Sequence, residues 1–113
     1  MKVLHIVASC LVALMLLGCT VSENRYKQVQ ASVRNPAQQK AEIANCSTTV
    51  GGMSRELRQT FATLAGTSVA SVPTTFCKRI VQGVASGKLS RDDINSVYKG
   101  SLTPNALKVI QGR

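Results

Sequence analysis

Residues 73–87 read Pro-Thr-Thr-Phe-Cys-Lys-Arg-Ile-Val-Gln-Gly-Val-Ala-Ser-Gly. Phe76, Ile80 and Val84 recur every four residues, with Cys77 and Val81 on the adjoining flank, so one side of a helix is apolar. Lys78, Arg79, Gln82 and Ser86 fall on the other side. Pro73 opens this helix and Gly87 stops it. Because Cys77 shares the apolar side, a bridge from it to Cys46 would join two helices from within a core. The stretch therefore predicts an all-α domain held by an internal staple.

Working upstream, Asn35-Pro36 is an N-cap followed by proline at the first helical position. It opens a segment that runs through Ala37, Ala41 and Ile43 toward Cys46, and Gly51-Gly52 ends it. Met53, Leu57, Phe61 and Leu64 then form a narrow apolar stripe opposite Arg55, Gln59 and Ala62. Gly66 marks its end, and Thr67 to Val72 reads as a loop. Downstream, Leu89-Ser90 and Leu102-Thr103 each place a hydroxyl cap behind a leucine that can staple to the apolar residue five places on, Ile94 and Leu107. Asp92 and Asp93 suit the first turn of the helix that follows Ser90.

The expectation is a small bundle of about five short helices over residues 35–113. Its predicted core is Met53, Leu57, Phe61, Leu64, Phe76, Ile80, Val84, Ile94, Val97 and Leu107. With two Phe, two Tyr and no Trp in the chain, that core is thin. A disulfide closing a loop of about 32 residues would offset this by roughly 3.5–4 kcal/mol of unfolded-state entropy.

The other end of the chain begins Met1-Lys2, continues as an apolar run from Val3 to Leu17, and reaches Leu16-Leu17-Gly18-Cys19. Crossing a bilayer takes roughly 20 apolar residues, whereas this run has about 15, the length of a signal h-region. The start resembles the signal peptide and lipobox of bacterial lipoproteins. That resemblance implies a signal peptide at residues 1–18, a diacylglycerol on the Cys19 sulfur and an N-acyl chain on its new amino group, with no other cofactor. Two or three acyl chains make attachment effectively permanent. Val7-Ala8-Ser9-Cys10 fits the same pattern but leaves too short an h-region, so Cys10 reads as part of the leader. By the same resemblance, Thr20 after Cys19 implies transfer to the outer membrane as in enteric-type bacteria, with the domain facing the periplasm; the inner membrane and the cell surface are the alternatives. Residues 19–34 are polar and without a sustained period, and read as a lipidated N-terminus and flexible tether.

Loss of the leader removes Lys2 and lowers the formal net charge from +9 to +8. It also removes His5, the chain's one histidine. Without histidine, Ser-His-Asp and Cys-His catalysis are excluded and no metal site is expected. The remaining cysteines, Cys46 and Cys77, form an even pair in an oxidising compartment and read as a disulfide. A carboxylate pair could cleave a glycan such as peptidoglycan, the remaining alternative reading, but Glu42, Glu56, Asp92 and Asp93 occupy solvated or capping positions, so the chain does not read as an enzyme.

Charge points instead to an anionic partner. Arg55, Arg58, Lys78, Arg79, Lys88 and Arg91 are the candidate contacts, for lipid head groups, other anionic envelope components or an envelope protein complex. Nucleic acid is not expected, since the few aromatics offer no stacking platforms. The segment Asn35 to Cys46 is also similar to the N-P, helix, Cys segment of exclusion lipoproteins from conjugation systems. That likeness implies an accessory role in a secretion or conjugation machine as the second functional reading.

Overall fold

A helix starts where a side chain can take over the first-turn amides that have no partner inside the helix. In the computed structural model, which describes residues 20–113, the helices are α1 (Glu23–Val33), α2 (Pro36–Gly51), α3 (Arg55–Ala65), α4 (Val72–Ser86), α5 (Arg91–Lys99) and α6 (Pro104–Ile110), and all but α4 start in this way. Ser22, Asn35, Ser54, Ser90 and Thr103 each accept a first-turn amide with the side chain. At Ser90 the device is reciprocal, because the Asp93 carboxylate accepts the Ser90 amide in return. α3 and α4 end on Gly66 and Gly87 at φ +67° and +82°, where a side chain would be strained. The described residues contain helices and no strand.

α4 is the element on which the others converge: α1, α2, α3 and α6 all pack against it, α2 most extensively. Its two halves face two apolar clusters, Val81 and Val84 toward one and Val72, Phe76 and Cys77 toward the other. One gathers Val33, Val81, Val84, Leu89, Ile94, Ala106 and Val109. The other gathers Val50, Ala62, Ala65, Val72, Phe76, Cys77 and Ile110. Ile43, Ile80, Val97 and Leu102 pack against both and join them into one interior. Within the second cluster the Phe61 and Phe76 rings stack at 4.9 Å between centroids. Cys46 of α2 and Cys77 of α4 form the disulfide, with Cα atoms 5.7 Å apart and the Cys77 end fully buried.

The all-helical class and the staple agree with the sequence reading, but three of its details are corrected. Residues 23–33 are helix, not flexible tether, so there are six helices among the described residues rather than about five. α1 is held by side chains that reach the open carbonyls at the end of α4. Gln30 Nε2 donates to Val84 O and Arg34 Nε to Ala85 O, both at 3.0 Å. The Tyr26 hydroxyl donates to Leu89 O just beyond.

Second, the apolar stripe of α3 is rotated from the expected one. Ala62 is buried and Leu57 is 46% exposed, because the close approach of α3 to α4 uses the small residues Ala62 and Ala65. Third, Leu107 stays half-buried outside both clusters, while its neighbours Ala106, Val109 and Ile110 fill the core. The expected leader, with Cys10 and the lipobox-like Leu16 to Cys19, lies outside the described residues.

Candidate functional site

The basic residues singled out by sequence are spread over three helices and a turn. Arg55 and Arg58 sit on α3, Lys78 and Arg79 on α4, Lys88 in the turn after α4, and Arg91 at the first position of α5. Arg55, Lys78, Lys88 and Arg91 are exposed, whereas Arg58 is half-buried with its Nε enclosed and without a hydrogen-bond partner.

Arg79 does not face solvent as its place on the polar side of α4 suggested. Its Nη1 donates to Ala65 O at 2.7 Å and to Ile110 O at 2.6 Å. These are the last carbonyls of α3 and α6, where unpaired acceptors and the negative end of the helix dipole collect. One guanidinium thus closes two helix ends, and the candidate anion contact at position 79 is a structural cation.

Asp93 is the mirror image. Its Oδ2 accepts the Ser90 amide at 2.9 Å and Asn105 Nδ2 at 2.7 Å, and its Oδ1 accepts the Thr103 hydroxyl at 2.6 Å. The carboxylate is 7% exposed and lies between the starts of α5 and α6, which favour negative charge. Burial pushes the carboxyl up, but the hydrogen bonds from Thr103, Ser90 and Asn105 outweigh it and hold the group below the ordinary carboxylate range. Burial pushes the Tyr26 hydroxyl up, opposed by the Arg34 charge and reinforced by Asp93. Both groups are committed to internal hydrogen bonds, which suits positioning of the helices rather than proton transfer.

A shallow, open depression of about 320 Å³ separates α1 from the start of α5. Glu23, Tyr26, Lys27 and Gln30 line one wall, and Ser90, Arg91 and Asp92 the other. Its charges oppose one another in pairs, Lys27 with Glu23 at 3.9 Å and Arg91 with Asp92 at 3.6 Å. No group of three or more His, Cys, Asp or Glu converges among the described residues. No helix among them is long and apolar enough to cross a membrane.

Where the chain enters the described domain, a contact appears that the sequence reading did not foresee. The Val21 amide donates to Asn95 Oδ1 at 2.7 Å, and Asn95 Nδ2 donates to the Val21 carbonyl at 3.3 Å. A side-chain amide that pairs with both polar groups of one residue acts as a backbone clamp. Asn95 is 9% exposed beneath it. In sequence the only trace is an asparagine on the flank of a helix otherwise marked by apolar residues.

No protein-family model, curated protein or solved structure gives a significant match to this chain.

Proposed function

We propose that the chain is a lipid-anchored protein of the bacterial cell envelope, with a non-catalytic structural or binding role at the periplasmic face of the outer membrane. The observation that carries this reading is Leu16-Leu17-Gly18-Cys19 at the end of a short apolar run behind Met1-Lys2. An acylated Cys19 supplies the anchor, through two or three acyl chains that bury enough methylene groups for permanent attachment. The Cys46–Cys77 disulfide fits a compartment that oxidises thiols.

The non-catalytic role is supported by the use of two enclosed ionic groups: half-buried Arg79 and buried Asp93 each close helix ends. Exposed Arg55, Lys78, Lys88 and Arg91 leave the surface suited to anionic envelope components.

Intact-mass analysis of protein purified from membranes tests the anchor. The expected mass is that of residues 19–113 plus diacylglycerol and a third acyl chain, with palmitate label incorporated and both lost in Cys19→Ala. A processed start at any other residue, or a chain without lipid, overturns the reading.

A further inference from the structure

The clamp between Val21 and Asn95 fixes how far the folded domain can stand from its point of attachment. Only Thr20 separates Val21 from Cys19. Two residues span at most about 7 Å when fully extended. The head-group layer of a bilayer is itself about 5–7 Å deep on each side. A domain pinned at Val21 therefore begins where the head groups end.

The surface around this point carries cations. On α5, Arg91, Asn95 and Lys99 succeed one another at intervals of four, so they share one side of the helix, with the clamp in the middle and a basic residue at either end. Arg25, in the first turn of α1, lies four residues beyond Val21. Arg25, Arg91 and Lys99 are all exposed. Arg91 has an exposed partner in Asp92 at 3.6 Å, a contact that water and salt screen strongly. Among the described residues neither Arg25 nor Lys99 forms an ion pair.

We infer that the α5 face bearing Arg91, Asn95 and Lys99, together with Arg25, docks flush on the anionic head groups of the membrane to which Cys19 is attached. The inference rests on lipid anchorage at Cys19. Two independent features select this face: the short chain between anchor and clamp, and the charge around the clamp. A folded domain on a flexible leash would sample all orientations. Here the leash is consumed by α1 and by Asn95, and the bilayer meets one surface of the bundle. Basic residues close to an anionic leaflet are attracted within a Debye length, and this face is held inside that distance.

The test uses mature lipidated protein reconstituted into nanodiscs that contain anionic phosphatidylglycerol and a head-group quencher. A fluorophore is placed on Lys99→Cys, or on Gln59→Cys of α3, an exposed position on a helix whose principal neighbours are α4 and α6. The label at 99 should be quenched several-fold more than that at 59. The ratio should fall toward one in Arg25→Glu/Arg91→Glu and in Asn95→Ala, with lipid mass and melting cooperativity retained. Equal quenching at the two positions, or a ratio unmoved by charge reversal, overturns flush docking while leaving anchorage intact. A purified chain that carries no lipid and does not enter the discs overturns anchorage itself, and the docking with it.

Discussion

Gly83 on α4 lies directly against the side chain of Leu89: a β-carbon at position 83 would fall 2.7 Å from Leu89 Cδ1 and 2.9 Å from its Cγ. Val109 Cγ1 stands 3.2 Å away on the other side, and Leu89 is fully buried, so neither neighbour has free space to retreat into. The glycine is what lets the chain fold back over α4 after Gly87.

Gly83→Ala should therefore destabilise. Overpacking costs about 1–3 kcal/mol and outweighs the helix preference of alanine, about 1 kcal/mol. A net loss near 1 kcal/mol would lower the melting temperature by about 4–8 °C for a domain of this size. Gly51→Ala at the end of α2, where nothing lies within 4 Å, should be neutral or slightly stabilising. Equal melting temperatures for the two variants would refute the close approach.

Removing the Cys46–Cys77 disulfide, by Cys46→Ser or by reduction, reopens a loop that spans a sequence separation of 31. The chain-entropy argument assigns about 3.5–4 kcal/mol to that closure. The melting temperature should fall clearly, or cooperative unfolding near 37 °C should be lost. Unchanged melting under oxidising conditions would count against the staple.

Asp93→Ala should strip an acceptor from the Ser90 amide, the Thr103 hydroxyl and the Asn105 amide together. A cost of about 1–3 kcal/mol in urea unfolding is expected, because three part-buried donors lose a charged acceptor. The native carboxyl titrates below its unfolded value. Its contribution is thus fully present above about pH 4 and is lost as pH falls through the lower native value. Asp93→Asn should flatten the acid limb of the stability profile. An unaltered acid limb would assign that pH dependence to other groups.

Arg79→Met should cost about 1.5–3 kcal/mol, because a charged donor is withdrawn from the Ala65 and Ile110 carbonyls. Arg79→Lys should recover only part of it, since the shorter lysine stem does not carry its ammonium to the place where Nη1 meets both carbonyls. Lys78→Glu, at an exposed neighbouring position, should leave stability nearly unchanged and weaken association with anionic vesicles. A thermal melt beside a vesicle sedimentation assay separates the two roles, and full rescue by lysine would argue against the geometry.

How much of this was legible in the sequence depended on the kind of contact involved. Asn35-Pro36, Ser90 and Thr103 announced helix starts, and Gly66 and Gly87 announced ends, because capping is local chemistry written in adjacent residues. The disulfide followed from the buried side assigned to Cys77. α1 was hidden because half of its inward face is polar: Tyr26, Gln30 and Arg34 bond distant carbonyls, which no apolar period registers. A signal was present in the Ser22 cap and in Tyr26, Gln30 and Val33 at helical spacing.

Arg79 was read as solvated for the same reason, since its partners are carbonyls brought together only by the folded chain. For the candidate surface, sequence supplied the excess of positive charge but not its distribution. Position relative to Val21 is a property of the tertiary fold, and so is the difference between Arg79 and Lys78, adjacent on one helix.

The place of α4 in the chain has a bearing on biogenesis. A ribosome delivers α1, α2 and α3 before the helix they all lean on has been made, and Cys46 emerges long before Cys77. Until residue 86 is synthesised, the nascent polypeptide holds three amphipathic segments without a scaffold and half of a future covalent link. Such a chain cannot close its core or its covalent link until most of it has been translated.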